Sequence, residues 1–192
     1  MLKRVLIILG HPNPYSYCGA LASAYENGAR GAGADVQKIL LSELTFDPNL
    51  KHGYGDQSLE PDLVMAQEKI QWAEHLVFVY PTWWGTMPAL LKGFVDRTFL
   101  PGYAFKYRKG YPLWDKLLRG RSARLIVTMD APPWYFRFWY GRPGHRAMKQ
   151  VVLEFCGIAP VRVSSIGSVK MVNDKQRKRW LFHVQSLGRK IC

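Results

Sequence analysis

Two adjacent indoles, Trp83 and Trp84, lie between a proline and a glycine in Pro81-Thr82-Trp83-Trp84-Gly85, and together they offer flat apolar area to a flat, partly polar ring. A second stretch, Gly10-His11-Pro12-Asn13-Pro14-Tyr15-Ser16-Tyr17-Cys18, is too proline-rich for helix or sheet and runs into a helical pattern for which Ser16 is a plausible cap. Backbone N–H groups at a helix start carry partial positive charge and suit a phosphate; the Ser16 hydroxyl and the His11 imidazole would add donors. A third loop, Thr128-Met129-Asp130-Ala131, follows another apolar run and is closed by Pro132-Pro133. An anion site beside a ring site implies an aromatic cofactor bearing phosphate. The same residues would also serve as an aromatic turn holding strand to helix and as a turn histidine. No nucleophile elbow, Walker loop, His-Glu-x-x-His pair or deaminase cysteine set is present, so hydrolytic, nucleotide-hydrolysing and metal chemistry lack support.

The elements that must position these loops follow from periodicity. Residues 3 to 9 read as a strand, too short and too abruptly ended by Gly10-His11-Pro12 for a signal peptide. After Ser16, Leu21, Ala22, Tyr25 and Ala29 form one helical face, and Gly28, Gly31 and Gly33 read as its termination before a strand at 35–41. A polar connection at 45–60 precedes a helix from Pro61 to about Glu74. Leu76 to Tyr80 is a strand buried on both faces, and Pro88 opens a helix whose Leu90, Leu91, Phe94 and Val95 point inward. Residues 101–121 are an aromatic, basic excursion. Ala123 to Asp130 is the fourth strand of the sheet, Gly144 to Phe155 a helix, Val161 to Ile166 the fifth strand, and Lys175 to Arg179 begins the closing helix. Strand and helix in alternation predict one α/β domain over 1–192, a doubly wound five-stranded parallel sheet with helices on both faces and ligands at the carboxyl ends of the strands.

The run from Pro81 through Trp83-Trp84 to Pro88-Ala89-Leu90-Leu91-Lys92-Gly93-Phe94-Val95-Asp96-Arg97 resembles the flavodoxin-like NAD(P)H:quinone oxidoreductases, and the resemblance extends from Val5 to about Ile166. It implies a flavoprotein oxidoreductase holding FMN, with FAD the alternative. Such an enzyme takes NAD(P)H as co-substrate and passes electrons to quinones or similar electron-poor aromatics in a ping-pong, two-electron cycle. By the same resemblance Pro81, Thr82, Trp83, Trp84 and Gly85 lie along the flavin ring with backbone bonds from Thr82 and Trp83. His11, Ser16, Tyr17 and Cys18 take its phosphate, and Thr128, Met129 and Asp130 form the third loop. Where family members carry Phe-Asn after the serine, this chain has Tyr17-Cys18; backbone donors survive that change, and a side-chain contact from Cys18 is not implied. Where they carry Thr-Thr-Gly-Gly, it has Thr128-Met129-Asp130-Ala131, which places a carboxylate at the loop. Tyr135 and His145 are expected at the mouth as catalytic groups that donate or relay a proton, the imidazole having a pKa near the working pH. A homodimer is expected. The alternative is a flavodoxin-like interaction module, for example of a transporter, with little reductase activity.

Composition bounds these readings. The 192 residues carry a formal charge of +13, and no apolar run approaches a membrane span. Nucleic acid is disfavoured because the basic residues are spread over many elements; most of that charge reads as solvated surface. Trp134-Tyr135-Phe136-Arg137-Phe138-Trp139-Tyr140 is too aromatic for a loop in water, so a cofactor mouth, a second subunit or peripheral membrane contact must cover it. Three cysteines, Cys18, Cys156 and Cys192, without Cys-x-x-Cys spacing suggest a reducing cytoplasm.

Overall fold

A computed structural model describes residues 2–55 and 57–191; Cys192 lies outside them. Its centre is a parallel sheet in the order β2-β1-β3-β6-β7, built from β1 (Arg4–Leu9), β2 (Asp35–Leu40), β3 (His75–Pro81), β6 (Ser122–Thr128) and β7 (Val161–Ile166). Between β3 and β6 the excursion forms a small antiparallel hairpin, β4 (Phe105–Tyr107) and β5 (Trp114–Lys116). Alternate residues of β1 enter different cores. Leu6 and Ile8 pack with Leu63, Ala66 and Ile70 of α2 (Pro61–Trp72) and Leu91 and Phe94 of α3 (Ala89–Thr98). Val5, Ile7 and Leu9 pack with Leu21, Tyr25 and Ala29 of α1 (Tyr17–Gly31) and Val184 of α6 (Asp174–Lys190). Covering both faces is why the strands read as unbroken apolar runs, and β3 is buried along its whole length. The expected doubly wound sheet is the one observed. Because β1 pairs with β2 on one side and β3 on the other, the chain reverses direction across the sheet at the carboxyl ends of β1 and β3.

Some elements differ from the sequence reading. Pro88 is the residue before α3, with extended backbone, and not its first helical residue. Residues after Pro132 form a short helix, α4 (Pro133–Phe138), that the aromatic composition concealed. The helix expected from Gly144 starts as α5 (Pro143–Arg146) and continues as a π-helical segment, Ala147–Glu154, whose wider turn no 3.6-residue period reveals. Gly28 does not terminate α1. It is buried within the helix, where a Cβ would strike the Gln185 carbonyl of α6, and Gly188 of α6 meets the Tyr25 carbonyl in the same way. These two glycines let the helices touch backbone to backbone; Gly33, at φ 81°, makes the turn.

Two buried polar groups fix the frame beneath the loops. The Arg97 side chain is wholly buried and donates to Glu60 Oε2 (2.8 Å) and to the carbonyls of Asp47 (2.6 Å) and Ser58 (2.9 Å), tying the 45–60 connection onto α3. His75 lies between the Tyr25 hydroxyl (3.0 Å from Nε2) and the Ser122 hydroxyl (2.8 Å from Nδ1); burial, with Lys3, Arg124 and Arg162 nearby, lowers its pKa to about 3.

Candidate functional site

The turn after β1 is ordered by its own side chains. His11 Nδ1 accepts the Asn13 N–H (2.9 Å), Asn13 Oδ1 accepts the Tyr15 N–H (2.8 Å), and the Ser16 N–H donates to the Asn13 carbonyl (3.3 Å). Partial burial lowers the His11 pKa, and an Nδ1 that accepts a hydrogen bond carries no proton, so the neutral ring holds its proton on Nε2. Ser16 caps α1 as expected: its Oγ accepts the Gly19 N–H at 3.3 Å. An α-helix leaves its opening N–H groups without intrahelical acceptors. The Ser16 and Gly19 N–H groups are bonded, and those of Tyr17 and Cys18, in the first turn, have no intrahelical acceptor. The Cys18 thiol contributes nothing outward. It is buried 3.2 Å from Thr128 Oγ1, and burial raises its pKa to about 11. The Tyr17 hydroxyl is likewise engaged, donating to the Arg177 carbonyl at 3.1 Å.

The turn after β3 is a two-residue hairpin turn. Trp83 and Thr86 exchange both backbone hydrogen bonds (2.9 and 3.0 Å), with Trp84 at φ 50° and Gly85 at φ 79°, the signature of a type I′ turn. Gly85 suits its position; Trp84 does not. An L-residue in the left-handed region costs on the order of 1 kcal/mol, and the side chain held there is fully exposed, 103% against the extended reference. Thr82 N–H donates to the Thr128 carbonyl at 2.7 Å. The backbone donors expected from Thr82 and Trp83 are therefore taken, the first by β6 and the second by the turn itself, which leaves those of Trp84 and Gly85. Pro81 is buried at the end of β3. The rings of His11 and Trp83 meet edge to face at 5.7 Å, which joins the anion turn to the aromatic turn across the point where the sheet reverses.

Of the third loop, Thr128 and Met129 are buried, and the Met129 N–H donates to Ile166. Asp130 is exposed and paired with Lys170 at 2.7 Å, which gives its carboxylate a partner in the neighbouring loop. Tyr135 stacks on Trp139 (6.2 Å) and meets Tyr140 edge-on (5.4 Å); hydrogen bonding to Tyr140 raises its pKa. His145 departs from expectation. It is 5% exposed, lies against Phe136 at 5.2 Å, and its Nε2 is buried without a hydrogen-bond partner. Burial, with Arg142 nearby, lowers its pKa to about 4, so the imidazole is neutral at neutral pH and does not titrate near it. The sequence reading missed Gly144. Its N–H donates to the Gly85 carbonyl (3.0 Å), and a Cβ there would lie 2.7 Å from that oxygen and 2.8 Å from Thr86 Cα. This glycine docks α5 on the Trp84 turn. Nothing in its own neighbourhood marks it, because the reason for it lies in another loop.

A family model described as a flavodoxin-like fold matches residues 3–184. The chain belongs to this Flavodoxin_2 family. Among its relatives, an uncharacterized NAD(P)H oxidoreductase of Haemophilus influenzae is 28% identical, over 90% of this chain and 88% of that protein. A ribosyldihydronicotinamide dehydrogenase [quinone] of Pongo abelii is 29% identical over 66% of this chain, a match that spans 63% of that protein. Of solved structures, Smu.1420 from Streptococcus mutans UA159 superposes with a TM-score of 0.84 at 30% identity, covering 98% of this chain and all of that one. An FMN-dependent NADH-azoreductase from Bacillus anthracis, solved with FMN, shares the fold at a TM-score of 0.75 and 18% identity, with 99% of each chain covered. By these names this Flavodoxin_2 protein stands among oxidoreductases.

Proposed function

We propose that this protein is a flavin-dependent NAD(P)H oxidoreductase that holds FMN, or FAD, with phosphate at the His11–Cys18 turn and ring against Trp83, Trp84 and Gly85. The carrying observation is the pairing of an anion cradle and an aromatic turn at one point of the sheet. His11, in the turn that leads into α1, meets Trp83 edge to face and so joins the anion turn to the turn that carries the strained, fully exposed Trp84 indole. The residues fit the group. A flavin, when bound, accepts hydride and passes electrons on, so the protein need supply only orientation, a dry aromatic surface and local charge.

The chain's own residues do the following. The α1 N-terminus and the Ser16 hydroxyl proton hold phosphate, while Gly10 lets β1 end close to α3, since a Cβ there would lie 2.7 Å from Leu91 Cδ2. The I′ turn would hold the ring with the Trp84 indole and the N–H groups of Trp84 and Gly85. Tyr135 carries a phenolic proton among the rings of Trp139 and Tyr140. His145, neutral and buried beneath Phe136, acts by positioning α5 or as a neutral donor, not by titrating. The acceptors are quinones or related electron-poor aromatics, reduced by two electrons in a ping-pong cycle. The test is to release and identify the bound flavin, then follow NADH and NADPH oxidation with an added quinone. Colourless protein that takes up no added FMN would overturn the proposal and favour the interaction module.

A further inference from the structure

The sheet ends at β7, and between that strand and the helical segment that starts at α5 lies a cleft of about 480 Å³. Four cations line it: Arg142, Arg146 and Lys149 from the helical segment and Arg162 from the strand. None of the lining residues is acidic. Among the described residues the three guanidinium groups form no ion pair, and Lys149 has only Glu154, at 3.7 Å. The strand adds backbone donors. The carbonyls of Pro160 and Ile166 accept N–H groups of Ala123 and Met129 on the β6 side, so alternation turns Val161 and Val163 the other way, with their N–H groups along the cleft. His145 lines the cleft too, and its buried Nε2, without a hydrogen-bond partner, is the unmatched polar group that a ligand would satisfy.

We propose that this cleft binds a phosphate monoester, and that the group it takes is the 2′-phosphate of NADPH, which makes NADPH and not NADH the preferred reductant. Like charges facing one cleft repel each other, and an anion among them relieves that cost. Guanidinium forks with backbone N–H groups match the several acceptor oxygens of a phosphate dianion; the hydroxyl that NADH carries at the same position leaves their charge unanswered. Position ties the cleft to the ring site. The Gly144 N–H bonds to the Gly85 carbonyl and seats α5 on the Trp84 turn; His145 follows at once, and Arg146 and Lys149 step away from the turn along the helical segment. A long nucleotide with its nicotinamide at the ring and its adenosine end laid toward β7 fits that path. A free phosphate ion would use the same donors but needs neither the length of the cleft nor its link to the turn. The anion site stands on the cleft alone; its assignment to NADPH rests on the reductase reading.

The test is calorimetric titration of the purified protein with adenosine 2′,5′-bisphosphate, adenosine 5′-monophosphate and inorganic phosphate. Wild type should bind the bisphosphate at least roughly tenfold more tightly than the monophosphate. Arg146→Gln with Arg162→Gln, at two exposed positions, should remove that preference and lower the ratio of kcat/KM for NADPH over NADH by a similar factor. Equal affinity for the two nucleotides in wild type, or a preference that survives in the double variant, would overturn the site. Inorganic phosphate bound as tightly as the bisphosphate would overturn the NADPH assignment, because the cleft would then serve a free ion. A bisphosphate preference that the variant loses, in a protein that oxidises neither NADH nor NADPH, would sink the reductase reading and leave the anion site intact.

Discussion

Trp84 sets a local conflict between stability and binding. Asparagine is the preferred residue at its left-handed position, so Trp84→Asn should stabilise the fold by about 1 kcal/mol, a rise of roughly 2–4 °C in melting temperature. It should also weaken flavin binding, as titration with FMN would show; a variant that is both no more stable and no weaker would remove the role given to this turn. At the anion turn, Ser16→Ala should cost about 1 kcal/mol of helix capping, and together with His11→Ala it should lose most flavin affinity while circular dichroism stays native. Undiminished affinity would show the phosphate assignment wrong. Tyr135→Phe and His145→Gln should each slow quinone reduction with flavin still bound. Because His145 has a pKa near 4, the pH–rate profile of the wild type should lack a histidine inflection near neutrality. The loop that carries the Trp pair, between strand and helix, and the Ser16 cap were legible from sequence because their signals are local. The burial of His145 was not, since it depends on Phe136 in a helix that Pro132-Pro133 and a run of aromatics disguised.

At the level of elements, the central strands were readable because a sheet covered on both faces leaves continuous apolar runs, and Pro61 marked a helix start. What stayed hidden depends on partners distant in sequence. Gly28 looked like a helix stop because its reason, the Gln185 carbonyl, lies in α6. Gly144 had no local reason either. Gly144→Ala should therefore do more than an ordinary helix substitution: its Cβ meets backbone of the Trp84 turn, which cannot rotate away. We expect a loss of roughly 1–3 kcal/mol in denaturant unfolding, with flavin affinity falling alongside. A loss of stability with affinity preserved would mean that α5 only supports the fold. Alanine at the neighbouring Gly141, where a Cβ meets nothing within 4 Å but φ is 65°, separates backbone strain from collision.

For the whole molecule, two buried histidines make stability depend on acid. His75 and His145 have folded pKa values of about 3 and about 4, below the unfolded value of about 6.5. Under about pH 6.5 the unfolded chain takes up protons that the folded one refuses. Their contribution is thus fully present above that pH and is lost as pH falls through the folded values, at about 1.4 kcal/mol per pH unit for each. Melts between neutral pH and about pH 4 should show this slope, and His145→Gln should reduce it; an identical slope would show that His145 does not carry it. The formal charge of +13 adds self-repulsion that salt should relieve, though salt should also loosen any hold on anionic surfaces. The distribution of the indoles has an optical consequence. Of the chain's seven tryptophans, Trp83, Trp84, Trp134 and Trp139 stand in water on the segments that follow β3 and β6. Their emission should be red-shifted in the bare protein and should dim when a yellow ring, which absorbs at those wavelengths, settles among them. An apolar covering that excludes water would instead turn the same light blue, so one fluorimeter trace can tell which visitor has arrived.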